Sequence, residues 1–167
     1  VHPVADDAVI AGNATIGLEI IEDLPDVETV LVPFGGGGLA TGIASALAAA
    51  GSAARIIGVE SDHCAPLAAA FAANGPVQVP AESSFVSGIG VGRVLEEMWP
   101  LVRSLVHGTA LVHAREITAA IRLLCERHRI IIEGAGAAPV AAALAGRGGR
   151  GKVVCVVSGG NLDTRYL

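Results

Sequence analysis

Between Thr29 and Ala46 the chain reads TVLVPFGGGGLATGIASA, and this stretch limits what it can fold into more than any other. Its first five residues are apolar and mostly β-branched, which predicts a strand, and from Leu39 onward the composition is that of a helix. Gly35, Gly36, Gly37 and Gly38 lie between them. A strand that ends in glycines and restarts as a helix leaves several N–H groups facing one space, with no Cβ atoms in the way. The helix start adds partial positive charge there, so phosphate is the natural guest. No lysine or arginine stands in the loop, so main-chain dipoles would hold that guest. A glycine run also serves as a plain flexible connector. This one is followed by no Gly-Lys-Ser/Thr, and four in a row is not the spaced glycine pattern of a dinucleotide-binding turn.

The surroundings narrow the class. A chain of 167 residues that is 52% hydrophobic and 16% charged suits helices packed on both faces of a buried sheet. A net charge of −5 argues against a nucleic-acid surface. Lys152 is the only lysine, and Arg147 with Arg150 sits in a glycine-rich turn that reads as a solvated loop. Cys64, Cys125 and Cys155 follow no metal-ligand spacing, as expected of reduced thiols in a cytoplasmic protein. No charged-then-apolar leader is visible, and no apolar run reaches the ~18 residues of a membrane helix.

Taken in order, Asp6 and Asp7 read as a solvated turn, with a metal-binding pair as the alternative. Gly12-Asn13-Ala14-Thr15 precedes an amphipathic helix through Ile16, Leu18, Ile20, Ile21 and Leu24, ended by Pro25-Asp26. The first strand covers 29–32, and the helix after the glycines runs to about Ala50, stopped by Gly51. A second strand is expected over 55–60, ending in Glu60, then a helix over 65–73. Periodicity is lost from Val77 to Gly92, around Ser83, Ser84 and Ser87. Helix returns over 94–106 with a break at Trp99-Pro100, Trp99 reading as a packing residue. A short strand at 110–113, a helix over 115–128, an alanine-rich helix to Ala145 and a last strand over 153–157 complete the pattern. Strands alternate with helices, so the fold class is α/β: an open, mostly parallel twisted sheet with helices on both faces and ligands at the carboxyl ends of its strands.

Four motifs then stand in order: Pro33-Phe34-Gly35-Gly36-Gly37-Gly38-Leu39, Gly58-Val59-Glu60, Glu133-Gly134-Ala135-Gly136 and Ser158-Gly159-Gly160-Asn161. Together with His2-Pro3 and Val9-Ile10-Ala11-Gly12-Asn13-Ala14-Thr15, the set resembles the fold-type II pyridoxal-phosphate enzymes, tryptophan synthase β-like in fold, and most closely their threonine/serine dehydratase and serine racemase branch. The resemblance implies pyridoxal 5′-phosphate as cofactor. It places the cofactor's phosphate on Gly35 to Gly38 and Leu39, and the Ser158 hydroxyl at the pyridine nitrogen. Gly159 and Asn161 would then lie along the ring's edge, Glu133 would face the site, and Gly88 would bring backbone close to the cofactor. A serine at that nitrogen, in place of a carboxylic acid, implies a milder electron sink and β-elimination. A helix-capping serine and a helix-starting acid are the plainer readings of Ser158 and Glu133.

Two features depart from the branch. Glu60 and the Cys64 carbonyl match ligands of a divalent-cation site (Mg or Ca), but Pro66 stands where the branch has an acid, and Glu60 also reads as a carboxylate ending a strand at the surface. The lysine that joins the family's cofactor has no counterpart, and Lys152 precedes the last strand, at the opposite end from the site. Residues 1–167 are therefore expected to be the carboxyl-terminal part of a cofactor-binding large domain, without the small domain and the lysine segment. The expected parent is a threonine/serine dehydratase giving a 2-oxo acid and ammonia, with serine racemase or a β-replacing synthase as sister chemistries. The expected partners are an amino-acid substrate, the missing amino-terminal part and further copies of the chain, with no nucleic acid or membrane. The alternative from another class is a non-catalytic phosphate-binding or assembly module.

Overall fold

A computed structural model describes residues 2–81 and 84–162, so Ser83 of the aperiodic stretch lies outside the described residues. Four strands, β1 (Thr29–Pro33), β2 (Arg55–Ser61), β3 (Gly108–Val112) and β4 (Val153–Cys155), form one sheet in the order β3-β2-β1-β4. All three pairings are parallel, with Leu31 opposite both Ile57 and Cys155. The helices are α1 (Asp7–Asp23), α2 (Gly38–Ala49), α3 (Pro66–Ala73), α4 (Trp99–Leu105), α5 (Ala114–Leu123) and α6 (Gly134–Leu144).

Strand pleating explains the two cores. Val30 and Val32 of β1 join a cluster with α1, α2 and α4, while Leu31 between them joins α5 and α6 on the other face. β1 is buried along its whole length, as a strand covered on both faces must be. The expected three-layer α/β architecture is therefore present.

Several boundaries differ from expectation, each for a local reason. α1 begins at Asp7, well before Gly12, because the Asp6 carboxylate accepts the Ala8 N–H at 2.9 Å and caps it. The Asp6-Asp7 pair is thus a helix start. α1 and α2 cross backbone to backbone through glycines: a Cβ on Gly17 would lie 2.7 Å from the Ile43 carbonyl oxygen, and one on Gly42 would lie 2.5 Å from that of Ile10. Pro100 sits in the first turn of α4, where its missing N–H costs nothing, so it starts a shorter helix and does not kink a longer one. Trp99 packs edge-on against Phe71 with centroids 5.8 Å apart. α5 ends at Leu123 and continues as a single π turn, Leu124–His128. β4 stops two residues short of Val157, although the Val156 N–H still donates to the Leu31 carbonyl at 3.0 Å.

Arg147 is no solvated loop residue. Its guanidinium donates to both oxygens of Glu116, at 2.8 and 2.9 Å, and Glu116 also accepts the His113 N–H that opens α5. These bonds, Arg147 first, hold the Glu116 carboxyl down from 4.5 to about 2. A carboxylate with a depressed folded pKa adds stability above its unfolded value that is lost as pH falls through the folded one. The stability difference between wild type and Glu116→Gln, from urea melts, is therefore expected to be constant above about pH 5 and to shrink to nothing near pH 2.

Candidate functional site

The strand order reverses at β1: the chain leaves it for β2 and β3 on one side, and β4 returns to the other. In an open parallel sheet this reversal opens a crevice at the carboxyl ends. A cleft of about 210 Å³ lies there, walled by Gly35 to Gly38, Leu39, Gly88, Ile89, Glu133, Ala135 and Ser158. Four distant parts of the sequence that were singled out separately thus meet in one place. Pro3, Val4 and Asn13 also line it. Sequence reasoning gave these three no site role, although the His2-Pro3 and Gly12-Asn13-Ala14-Thr15 matches were the signal that could have done so.

Each glycine of the loop has its own requirement. Gly37 is the N-cap of α2 with φ +98°, a left-handed conformation that side chains rarely adopt. A Cβ on Gly36 would lie 2.6 Å from the Val4 methyls, one on Gly38 2.6 Å from the Val4 carbonyl oxygen, and one on Gly35 3.0 Å from that of Gly88. The loop is therefore clasped between residues 3–4 and 88–89. His2 sets one jaw, its Nδ1 accepting the N–H groups of Val4 and Ala5 at 3.2 and 3.0 Å. At the start of α2 no side chain caps the helix, so the amides of Gly38, Leu39 and Ala40 open it without a side-chain acceptor of their own. The Thr41 amide and hydroxyl both turn back to the Gly37 carbonyl, at 2.9 Å each. This is the chemistry of an anion cradle.

Glu133 reconciles its two readings. It occupies the N-cap position of α6, yet its side chain makes no cap bond and lines the cleft. Its amide donates to the Gly159 carbonyl at 3.3 Å, and its Oε1 would be 2.2 Å from a Cβ on Gly159. Gly136 lies so close to the end of β4 that a Cβ there would be 1.6 Å from the Ser158 carbonyl oxygen. The Glu133-Gly134-Ala135-Gly136 motif thus fixes where Ser158 stands. Asn161 follows on the same loop but is exposed and outside the cleft wall.

The surface-carboxylate reading of Glu60 is corrected. Glu60 has no exposed surface; its Oε1 accepts the Leu67 N–H at 2.6 Å, and its Oε2 accepts the Ala68 N–H at 3.0 Å and the Thr109 hydroxyl at 2.9 Å. Glu60 therefore caps α3 from a neighbouring strand and ties β2 to β3. Burial pushes its carboxyl upward, while the three donors pull the other way. The Cys64 thiol donates to the Val91 carbonyl at 3.2 Å, and burial raises its pKa. The structure does not bring a third ligand to this pair: among the described residues no group of three or more His, Cys, Asp or Glu is placed to hold a metal ion.

Lys152 lies where expected. Its carbonyl accepts the Glu28 and Thr29 amides and its Nζ pairs with Asp26, all at the amino ends of the strands.

With this geometry in view, comparison with known proteins decides the family. The profile described as "Pyridoxal-phosphate dependent enzyme" matches residues 1–159. The chain belongs to that family. An L-threonine ammonia-lyase of Geobacter sulfurreducens is 46% identical over 170 residues, covering all of this chain and 42% of the relative. A catabolic L-threonine dehydratase of Staphylococcus aureus is 42% identical, covering 98% of the chain and 49% of the relative. Among family structures, maize serine racemase superposes with a TM-score of 0.91 at 30% identity, over 99% of this chain and 52% of the other. The processed form of threonine deaminase isoform 2 from Solanum lycopersicum gives 0.91 at 31% identity, over 99% and 50%. The chain thus spans less than half the length of these curated relatives and about half of these solved ones. The four-stranded parallel sheet described above is the fold-type II architecture of this family.

Proposed function

We propose that this chain is the carboxyl-terminal, cofactor-cradling part of the large domain of a cytoplasmic threonine/serine ammonia-lyase, which converts its substrate to a 2-oxo acid and ammonia. The observation that carries this reading is the meeting of the uncapped α2 start, Ser158 and Glu133 in one cleft at the reversal of the sheet. Relatives 40–46% identical and named L-threonine ammonia-lyase support the choice of reaction.

In this reading the amides from Gly35 to Leu39 hold the 5′-phosphate of pyridoxal phosphate as an anion at a helix N-terminus. Ser158 and Gly88, which line the cleft, would hold the ring by hydroxyl and backbone, with Gly159 beside Glu133 at its edge, whereas Asn161 lies outside the cleft wall and is given no contact. Pyridoxal phosphate supplies, when bound, the electron sink for the pair left at the substrate Cα. Lys152, at the amino ends of the strands, is at the wrong end of the sheet to remove the Cα proton, so this reading assigns that step to a lysine outside the described residues. That lysine belongs to the remaining part of the protein, which is therefore a required partner, and the assembly is a homo-oligomer. A Mg or Ca ion at Glu60 and the Cys64 carbonyl would have to compete with three donors already on the carboxylate, so no step depends on one.

The test is to join this chain to the portion of the G. sulfurreducens relative that it does not match, and to follow 2-oxobutyrate from threonine. Product is expected; intact cofactor absorbance without product overturns the lyase reading. D-Serine from L-serine in its place favours the racemase chemistry of the maize neighbour. The placement of Lys152 favours one second reading, a phosphate-binding module without catalysis, which predicts cofactor retention and no turnover in the joined protein.

A narrower prediction concerns the cradle itself. Gly37→Ala forces a Cβ into φ +98°, with the Val102 methyl 3.1 Å away, and re-aims the amides that follow. Titration calorimetry of the chain with pyridoxal phosphate is expected to show affinity weakened at least about tenfold. Gly51→Ala, at φ +73° in open space far from the cleft, serves as the control with affinity unchanged.

A further inference from the structure

Three polar side chains line the cleft, and two of them stand on its far wall: Glu133 beside Gly88 and Gly159, and Ser158 after β4. The third, Asn13, is on the side of the glycine loop. It sits inside α1, where asparagine is a poor helix former because its carboxamide competes for backbone groups. Here it takes none of them: among the described residues the Asn13 side chain makes no hydrogen bond. No described side-chain atom is buried without a partner, so the polar atoms of this carboxamide reach open space.

Its direction follows from how α1 and α2 pack. Approaches climb together along both helices, from Val4 against Gly36 and Gly38, through Ile10 and Asn13 against Gly42, to Gly17 against Ile43 and Ala46. The two helices therefore run the same way, with both starts at the cleft. Side chains on a helix lean toward its N-terminus, so the Asn13 carboxamide, rooted beside Gly42, leans back over the first turn of α2, about one turn earlier. The opening turn of α1 is closed to an anion by Asp6, its cap, and by Asp7, whereas α2 starts with no cap and no acid. Of the neighbours on this wall, Pro3 has no N–H, and the Val4 amide is spent on His2 Nδ1 at 3.2 Å. Asn13 is thus the one side-chain donor among the described residues on the cradle's side of the cleft.

We propose that the Asn13 carboxamide is a side-chain ligand of the cofactor's phosphate, donating an N–H to a phosphate oxygen on the side that α1 faces. The inference rests on the reading of the cleft as a pyridoxal-phosphate site and names a further group in it. The loop itself holds no lysine or arginine, so a charge-assisted hydrogen bond from a neutral amide adds to the main-chain dipoles what no cation supplies there. The donor is held ready, because α1 packs backbone to backbone on α2 through Gly17 and Gly42, and a group already fixed in place loses little freedom on binding.

Titration calorimetry of the chain with pyridoxal phosphate, and with pyridoxal as the same ring without the phosphate, tests this. Asn13→Ala is expected to weaken pyridoxal phosphate at least about tenfold and to leave pyridoxal unchanged. Asn13→Asp keeps the shape but sets a like charge against the phosphate, and is expected to weaken it at least about a hundredfold, again without effect on pyridoxal. Without ligand, Asn13→Ala is expected to melt at or slightly above the wild-type temperature, since alanine is the better helix former and no bond is lost. A loss equal for the two ligands, or a lower melting temperature for Asn13→Ala, makes Asn13 a residue of the fold and overturns the proposal. Wild-type binding of pyridoxal phosphate that Asn13→Ala leaves intact sinks the asparagine contact alone, and no binding by the wild-type chain sinks the cradle together with it.

Discussion

Gly136→Ala is expected to destabilise the chain by about 3 kcal/mol or more, although alanine is the better helix former by about 1 kcal/mol. The added methyl would sit 1.6 Å from the Ser158 carbonyl oxygen, where real Cβ contacts do not fall below 3.0 Å. The obstacle is backbone, so no rotamer change relieves it. On its other side the Ile132 side chain is 2.5 Å away. Either α6 lifts off the sheet, opening the core it shares with Leu31, Ile57 and Val112, or the end of β4 moves. Urea melts measure the first, and the second shows as weaker binding of pyridoxal phosphate, because Ser158 and the Gly159 carbonyl move together. A melt within about 0.5 kcal/mol of wild type would show that the α6–β4 approach is looser than described.

Glu60→Ala is expected to cost about 2 to 3 kcal/mol, from loss of a helix cap and from buried donors left without an acceptor. The amides of Leu67 and Ala68 and the hydroxyl of Thr109 all depend on this one carboxylate. Glu60→Gln keeps one acceptor oxygen and presents an NH2 group to the donors facing the other, so it should lose about half as much. Melts of the wild type with Mg or Ca provide the contrast. A rise in melting temperature that Glu60→Gln abolishes would return the carboxylate to cation binding, and an unchanged curve keeps it as a cap.

The sheet and its order of elements were legible because the signal is local. Val30, Leu31 and Val32 form an unbroken apolar run, and Gly35 to Gly38, Gly51 and Asn74 punctuate it and its neighbours. The convergence of Gly35 to Gly38, Glu133 and Ser158 was legible for a topological reason: parallel strands put their carboxyl ends on one edge. What the sequence hid was determined by contacts between distant residues. Glu60 looks like a strand-end carboxylate until α3 is placed over it, and Arg147 looks solvated until Glu116, 31 residues away, is folded against it. Gly17, Gly42 and Gly136 look like breaks in helical composition, and only the crossing of two backbones explains them. The tetraglycine loop reads as a phosphate cradle in the sequence, and the structure adds a second demand on the same glycines. Val4 and the Gly88 carbonyl demand those glycines as much as any ligand does.

The placement of β4 also governs how this chain can fold. β1 receives one neighbour from nearby sequence, Arg55 onward, but the other begins only at Val153. Closing so long a loop costs entropy before the pairing returns anything, and such distant contacts slow folding. During synthesis the glycine loop therefore emerges long before Ser158 exists to complete the cleft, and until then one flank of β1 stays bare. That interval is when the unpaired flank of β1 is most open to mispairing.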